Sequence, residues 1–207
     1  MKRIMLLFAL AIGLNTTLIS AQEVRGGIKV EASMLNFILT DMDAMKSNPG
    51  FGVSVGGYTK IEMGEYFALQ PEVLLHYKNS IMKTKSTGVE TDFQYFGVEI
   101  PLYAVGQVNF GKGKGFLGIG PYIGFGIDAR YKVDGVDDLN LYKEYSGNKS
   151  EMQRWDFGAG VTLGYEFVNK VSINAGYKIG FIDVLNANKE NATMLPQTIS
   201  LGLSYRF

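Results

Sequence analysis

The stretch Thr198-Ile-Ser-Leu-Gly-Leu-Ser-Tyr-Arg-Phe207 alternates without a break. Ile199, Leu201, Leu203, Tyr205 and Phe207 take one side, and Thr198, Ser200, Gly202, Ser204 and Arg206 take the other. Side chains alternate faces along a strand, so a period of two describes a β-strand with one apolar and one polar face. The pattern recurs upstream. Over 154–168, Trp155, Phe157, Ala159, Val161, Leu163, Tyr165 and Phe167 oppose Arg154, Asp156, Gly158, Gly160, Thr162, Gly164 and Glu166. Over 66–78, Phe67, Leu69, Pro71, Val73, Leu75 and Tyr77 oppose Gln70, Glu72, His76 and Lys78. Over 116–131, Leu117, Ile119, Ile123, Phe125 and Ile127 oppose Gly118, Gly120, Gly124, Gly126 and Asp128.

With further runs over 24–34, 51–63, 91–110 and 170–182, and the last placed over 197–207, the pattern predicts eight strands. The connections alternate in length. Residues 63–66, 111–115 and 169–170 are short turns, whereas 35–50, 79–90, 132–153 and 183–196 are longer and polar. Short turns at one end and long loops at the other are the habit of a transmembrane barrel. Past the first 21 residues no run reaches the 18 or so consecutive apolar residues of a spanning helix. Only helices and closed barrels satisfy their backbone hydrogen bonds in lipid. The expected fold is all-β: an eight-stranded antiparallel up-and-down transmembrane β-barrel over residues 22–207, with both ends periplasmic. Phe67, Phe116, Phe167, Tyr205 and Phe207 are expected at the periplasmic interface, and Phe51, Tyr77, Tyr131, Trp155 and Phe181 at the outer one.

The beginning of the chain gives an address. Lys2 and Arg3 precede an apolar run over 4–14, and Ser20-Ala21 offers a small-residue cleavage site. This reads as a secretory signal peptide over 1–21, too short and too interrupted (Asn15) for a spanning helix. Cleavage would leave 186 residues, one domain's worth. The chain holds 20 basic and 20 acidic residues, so loss of Lys2 and Arg3 leaves 18 against 20. That balance points away from nucleic acid. The sequence has no Cys, which excludes disulfides and a lipidated-cysteine anchor. Its 26 Gly, 12 Tyr and 13 Phe suit a tightly curved sheet. A final strand ending on an aromatic residue is typical of bacterial outer-membrane barrels, and outer-membrane location is the expectation.

Four segments carry a family resemblance: Phe67-Ala-Leu-Gln-Pro-Glu-Val-Leu-Leu75, Tyr95-Phe-Gly-Val-Glu-Ile-Pro-Leu102, Gly118-Ile-Gly-Pro-Tyr-Ile-Gly124 and Leu203-Ser-Tyr-Arg-Phe207. They resemble the PorT-like outer-membrane barrels, also called the outer membrane protein β-barrel domain. The resemblance implies fold and location. It supplies no active-site residues, although some such barrels assist secretion across the outer membrane.

The residues that could carry chemistry read more plainly as structure. His76 is the single His, so no His pair or His-rich metal site is available. A lipid hydrolase on a barrel wall needs a lipid-facing Ser/His/acid set, and His76 falls on the inward face beside Glu72 and Lys78. Gly113-Lys-Gly-Phe-Leu-Gly118 matches G-x-G-x-x-G, but a dinucleotide site needs a helix after it and here a strand follows. Asp134, Asp137 and Asp138 lack EF-hand spacing. The inward charges are Arg25, Lys29, Glu31, Glu72, Lys78, Glu99, Asp128, Arg130, Arg154, Asp156, Glu166, Lys178 and Arg206. A pore selective for one sign of ion would be one-sided. Mixed signs in an eight-stranded interior, just wide enough to be filled by side chains, favour a plugged lumen. The sequence therefore reads as a non-enzymatic binding, adhesion or secretion/assembly-accessory barrel, with no catalytic, cofactor or metal residues. A narrow porin-like channel is the alternative. Its expected partners are outer-membrane lipid, the barrel assembly machinery, and another envelope protein or an extracellular ligand, with the barrel itself a monomer. The expected contact loop is 132–153, with Asp137, Asp138, Tyr142, Tyr145 and Lys149 exposed.

Overall fold

The computed structural model describes residues 23–41, 44–85, 88, 90–132, 139–143, 150, 152–184 and 193–207. The strands are β1 (Glu23–Thr40), β2 (Met45–Glu62), β3 (Phe67–Thr84), β4 (Glu90–Phe110), β5 (Gly113–Lys132), the two-residue β6 (Leu139–Asn140), β7 (Trp155–Glu166), β8 (Val171–Gly180) and β9 (Thr193–Arg206). β6 apart, each long strand pairs antiparallel with its neighbours in sequence, and β1 pairs with β9, from Gly27–Arg206 to Thr40–Thr193. Eight long strands thus close a ring. The expected leader over 1–21 lies outside the described residues.

The alternation is read out as expected through the middle of the wall. Val30, Met34, Leu75, Ile119, Leu163 and Leu201 are exposed on the outside, while Lys29, Glu31, Glu72, Glu99, Thr162 and Lys178 are buried inside. Lumen glycines seat the inward aromatic rings. A Cβ on Gly158 would lie 2.7 Å from the Tyr122 ring, and one on Gly160 would lie 2.9 Å from the Tyr103 hydroxyl. At one periplasmic turn Gly111, at φ 63°, supplies the left-handed backbone that a two-residue hairpin loop asks for.

The outer half departs from the sequence expectation. Segments 35–50 and 79–90 are mostly strand, leaving only 41–44 and 85–89 as connections. A strand needs about 9–11 tilted residues to cross the hydrocarbon, yet β1 to β5 have 18 to 21 residues. Toward the outer end the polarity of the wall changes. Outside, the apolar rows Met34–Phe51, Met34–Ile199 and Tyr77–Phe96 give way to the amide rows Asn36–Gln197 and Asn79–Gln94, then to Lys46, Lys83, Glu90 and Asp92, with Ile81 and the Ile38–Leu195 pair among them. Inside, charged residues give way to a buried apolar cluster that includes Leu35, Phe37, Met82, Phe93, Ala129 and Met194. In hydrocarbon the apolar face must point out; in water it must point in. The inversion makes the extended strands read as loops, because the apolar set moves to the other face.

β7 and β8 stop low, and short crossings complete the extension above them. Backbone bonds run Leu141 N to Ala129 O (2.9 Å), Met152 N to Leu141 O (3.1 Å), Gln153 N to Val184 O (3.0 Å) and Val184 N to Met194 O (3.2 Å). They carry the wall from β5 to β9, and Leu141, Tyr142, Met152 and Val184 join the apolar cluster. Tyr142, expected on an exposed loop, is therefore buried. Asp134, Asp137, Asp138, Tyr145 and Lys149 lie outside the described residues.

A bulge at Phe96/Gly97 corrects a second expectation. Gly97 pairs with Gly126 but Phe96 pairs with Asp128, so β5 gains a residue there. One extra residue flips every side chain beyond it. Asp128 and Arg130 therefore face outward, and Ala129 and Tyr131 face in. Tyr131 and Phe116, expected at the interfaces, pack instead against the inner clusters.

The facing assignment has a direct test in urea unfolding from lipid vesicles. Leu163→Arg puts charge on the lipid face and should cost about 2–4 kcal/mol. Gln94→Arg, equally outward but above the inversion, should stay within about 0.5 kcal/mol of the wild type.

Candidate functional site

Toward the periplasmic end of the lumen Ala68, Tyr103 and Val105, with Phe116 against them, form a small apolar patch. The rest of the membrane-level lumen is charged. Lys29 on β1 reaches Glu31 at 3.0 Å and Glu72 on β3 at 3.0 Å. Gln70 donates to Glu72 at 2.8 Å, and Asn174 donates to Glu31 at 3.5 Å. Glu99 on β4 accepts from Lys78 at 2.9 Å and also from Lys178, with His76 Nδ1 3.9 Å away. Arg206 holds Glu166 through two bonds, 3.0 and 2.6 Å, and Lys60 lies 3.8 Å from the other oxygen. An isolated buried charge is expensive, so each of these carboxylates has a cation beside it, drawn from another strand for Glu72, Glu99 and Glu166 and from its own strand for Glu31. These contacts tie β1 to β3, β4 to β3 and β8, and β9 to β7 through the lumen, in addition to the ladder outside.

Lys29, Glu31, Glu72, Lys78, Glu99, Glu166, Lys178 and Arg206 are thus brought together as the sequence leads one to expect. Arg25 sits at the periplasmic rim against Glu23. Arg154 lies exposed at the outer edge of β7, donating to the carbonyls of Gly126 and Ile127 at 3.1 Å and covering the Tyr142 ring at 4.5 Å. Burial pushes the Tyr142 phenol up from its ordinary pKa, so it remains a hydrogen-bond donor. Lys60 is the lumen cation missed in the sequence; counting by twos from Ser54 along β2 finds it. The inward tyrosines Tyr58, Tyr103 and Tyr122 were also missed, because aromatic residues suggest the lipid face.

His76 is 2% exposed, inside the wall, its ring 4.9 Å from that of Tyr95. It has no access to lipid, where a barrel hydrolase meets its substrate. The glycine-rich run at 113–118 opens β5 and pairs with β4 and β7. Among the described residues no three His, Asp or Glu side chains are grouped to hold a metal ion. At the junction of the charged middle and the apolar extension is a cavity of about 20 Å³, lined by His76, Glu99, Tyr95, Tyr122, Met152 and Asp156 among others.

Residues 20–186 match the family model described as outer membrane protein beta-barrel domain. Among solved structures, Neisserial surface protein A is similar over 88% of this chain and 97% of its own, at 17% identity and a TM-score of 0.50. OprG of Pseudomonas aeruginosa is similar over 90% and 95%, at 12% identity and a TM-score of 0.48. Ail of Yersinia pestis is similar over 89% and 99%, at 14% identity and a TM-score of 0.47. At such identities the likeness is one of fold. No curated protein sequence matches the chain.

The lumen network predicts a specific asymmetry. Glu99→Gln leaves Lys78 and Lys178 facing each other without a counter-charge and should cost about 3–5 kcal/mol. Lys83→Ala breaks only the exposed pair with Glu90 and should cost less than about 1 kcal/mol. Unfolding midpoints in lipid vesicles separate the two.

Proposed function

The chain belongs to the outer membrane protein beta-barrel domain family and resides in the bacterial outer membrane, and from that premise we propose that it is a closed, non-enzymatic binding barrel that works from its outer end. The observation that carries this reading is the extension above the inversion level. Strands β1 to β5 continue well past the length needed to cross lipid and enclose a core of their own. A chain that only had to plug the membrane would have no use for ordering that many residues in water, since each ordered residue costs about 1–2 kcal/mol of backbone entropy. The extension holds its outer rim rigidly clear of the membrane. Binding residues on loops set by a rigid scaffold are a common arrangement.

Within the family we place the chain with the PorT-like barrels, on segments 67–75, 95–102, 118–124 and 203–207. That placement favours an accessory role toward another envelope protein, or capture of an extracellular ligand. The barrel is read as a monomer in outer-membrane lipid, delivered by the barrel assembly machinery. A narrow channel remains the competing use of the fold. The balanced lumen charges and the apolar cluster that fills the outer end speak for closure.

Two measurements test the proposal. Purified protein in planar bilayers should give no stable conductance steps; reproducible steps would favour the channel. Replacing 132–153 by a shorter crossing that keeps Leu141, Tyr142 and Met152 should preserve assembly, seen as heat-modifiable migration, and abolish partner capture from outer-membrane extract. Capture that survives the shortening moves the contact to the periplasmic turns around Lys112 and Lys114.

A further inference from the structure

Three of the chain's five prolines stand on adjacent strands of the membrane span: Pro71 on β3, Pro101 on β4 and Pro121 on β5. Each coincides with a lapse in the backbone ladder. The β2–β3 pairing reaches Tyr58–Glu72 and resumes at Ile61–Leu69. The β3–β4 pairing reaches Pro71–Leu102 and resumes at Leu74–Glu99. The β4–β5 pairing reaches Pro101–Tyr122 and resumes at Ala104–Ile119. One further step of each register sets Thr59 opposite Pro71, Glu72 opposite Pro101 and Leu102 opposite Pro121. Proline has no N–H to give, so the carbonyl that faces each ring loses its ladder donor. The lapses adjoin one another and form a single diagonal seam across β2 to β5. The β1–β2, β1–β9, β5–β7, β7–β8 and β8–β9 pairings run without a gap.

A backbone group without a partner is costly in hydrocarbon, and a central strand ordinarily excludes proline for that reason. A bend in one strand needs one proline. A shared axis of bending needs the lapses aligned across neighbours, as they are here. Where the ladder lets go, side chains hold the strands in place through the lumen. Glu72 is bound by Lys29 of β1 at 3.0 Å, and Lys60 of β2 lies 3.8 Å from Glu166 of β7. Such ties keep the strands together without fixing the angle between their lower and upper halves. Above the seam the same strands run on into the extension, where Met82, Phe93 and Ala129 share one packed core.

We propose that the three-proline seam is a hinge in the barrel wall, about which the upper halves of β2 to β5 flex with the extension as one body, while the gap-free wall of β7, β8, β9 and β1 holds its shape. The hinge is independent of what the outer rim binds. The chain has no Cys of its own, so paired spin labels on introduced cysteines report single distances. In nanodiscs of the full barrel, Lys83→Cys with Asn109→Cys spans the seam from the outer to the periplasmic end. Leu195→Cys with Asn169→Cys spans the gap-free wall. The distance distribution across the seam should be at least about twice as wide as the control's. Pro71→Val and Pro121→Val, both on the outward face, give Thr59 and Leu102 their donors back and alter no lumen side chain. That double variant leaves the middle lapse alone and should narrow the seam distribution to the control's width. A seam distribution no wider than the control's in the unaltered barrel overturns the hinge and leaves the prolines a fixed curvature. So does a folded double variant whose distribution stays as wide as before.

Discussion

Hydrocarbon offers no hydrogen-bond partner to a peptide N–H or C=O, and the pairing of β1 with β9 is what lets this sheet exist there. Without it, two strand edges would expose unpaired backbone groups, each costing several kcal/mol. Closure at eight strands then fixes the rest. The interior is about as wide as its side chains, so whatever points inward must pack and must find its own polar partners. Gly158 and Gly160 leave room for Tyr122 and Tyr103, and Glu99 collects Lys78 and Lys178 from two other strands.

The same closure holds above the membrane, but the solvent changes and the side chains change with it. Where hydrocarbon lies outside, the lumen is polar. Where water lies outside, the lumen is apolar and behaves as an ordinary protein core, with Phe93 and Ala129 fully buried. One continuous backbone ladder thus supports two opposite binary patterns. Their junction lies at the level of His76, Tyr122 and Asp156, directly beneath the apolar cluster.

Much of this was legible in the sequence. The runs at 154–168 and 197–207 assign strand and face from period, the recurrence of that pattern between turns gives the count of eight, and ring closure follows from the backbone's need for partners in lipid. What escaped did so for two physical reasons. Periodicity is blind to a bulge, so Asp128 and Arg130 were carried to the lumen past the extra residue opposite Phe96. Polarity patterns are also interpreted against an assumed solvent. Segments 79–84 and 35–40 keep the period of a strand, but Met82, Leu35 and Phe37 point inward, where the membrane pattern expects polar residues. Burial of Tyr142 and Met152 depends on crossings between distant segments, and no local signal announces them.

The central claim is that the solvent boundary lies between Tyr77 and Asn79 on β3 while the strand itself runs on. Spin labels placed singly at Val73, Leu75, Tyr77, Asn79, Ile81 and Lys83, all on the outward face, test it most directly in reconstituted vesicles. Relaxation by oxygen should dominate through residue 77, and relaxation by a water-soluble nickel complex should dominate from 79 onward, with strand-like mobility at every position. Oxygen-dominated relaxation continuing through residue 83 would contradict the account, because the apolar core inside β1 to β5 would then lie within the bilayer rather than above it.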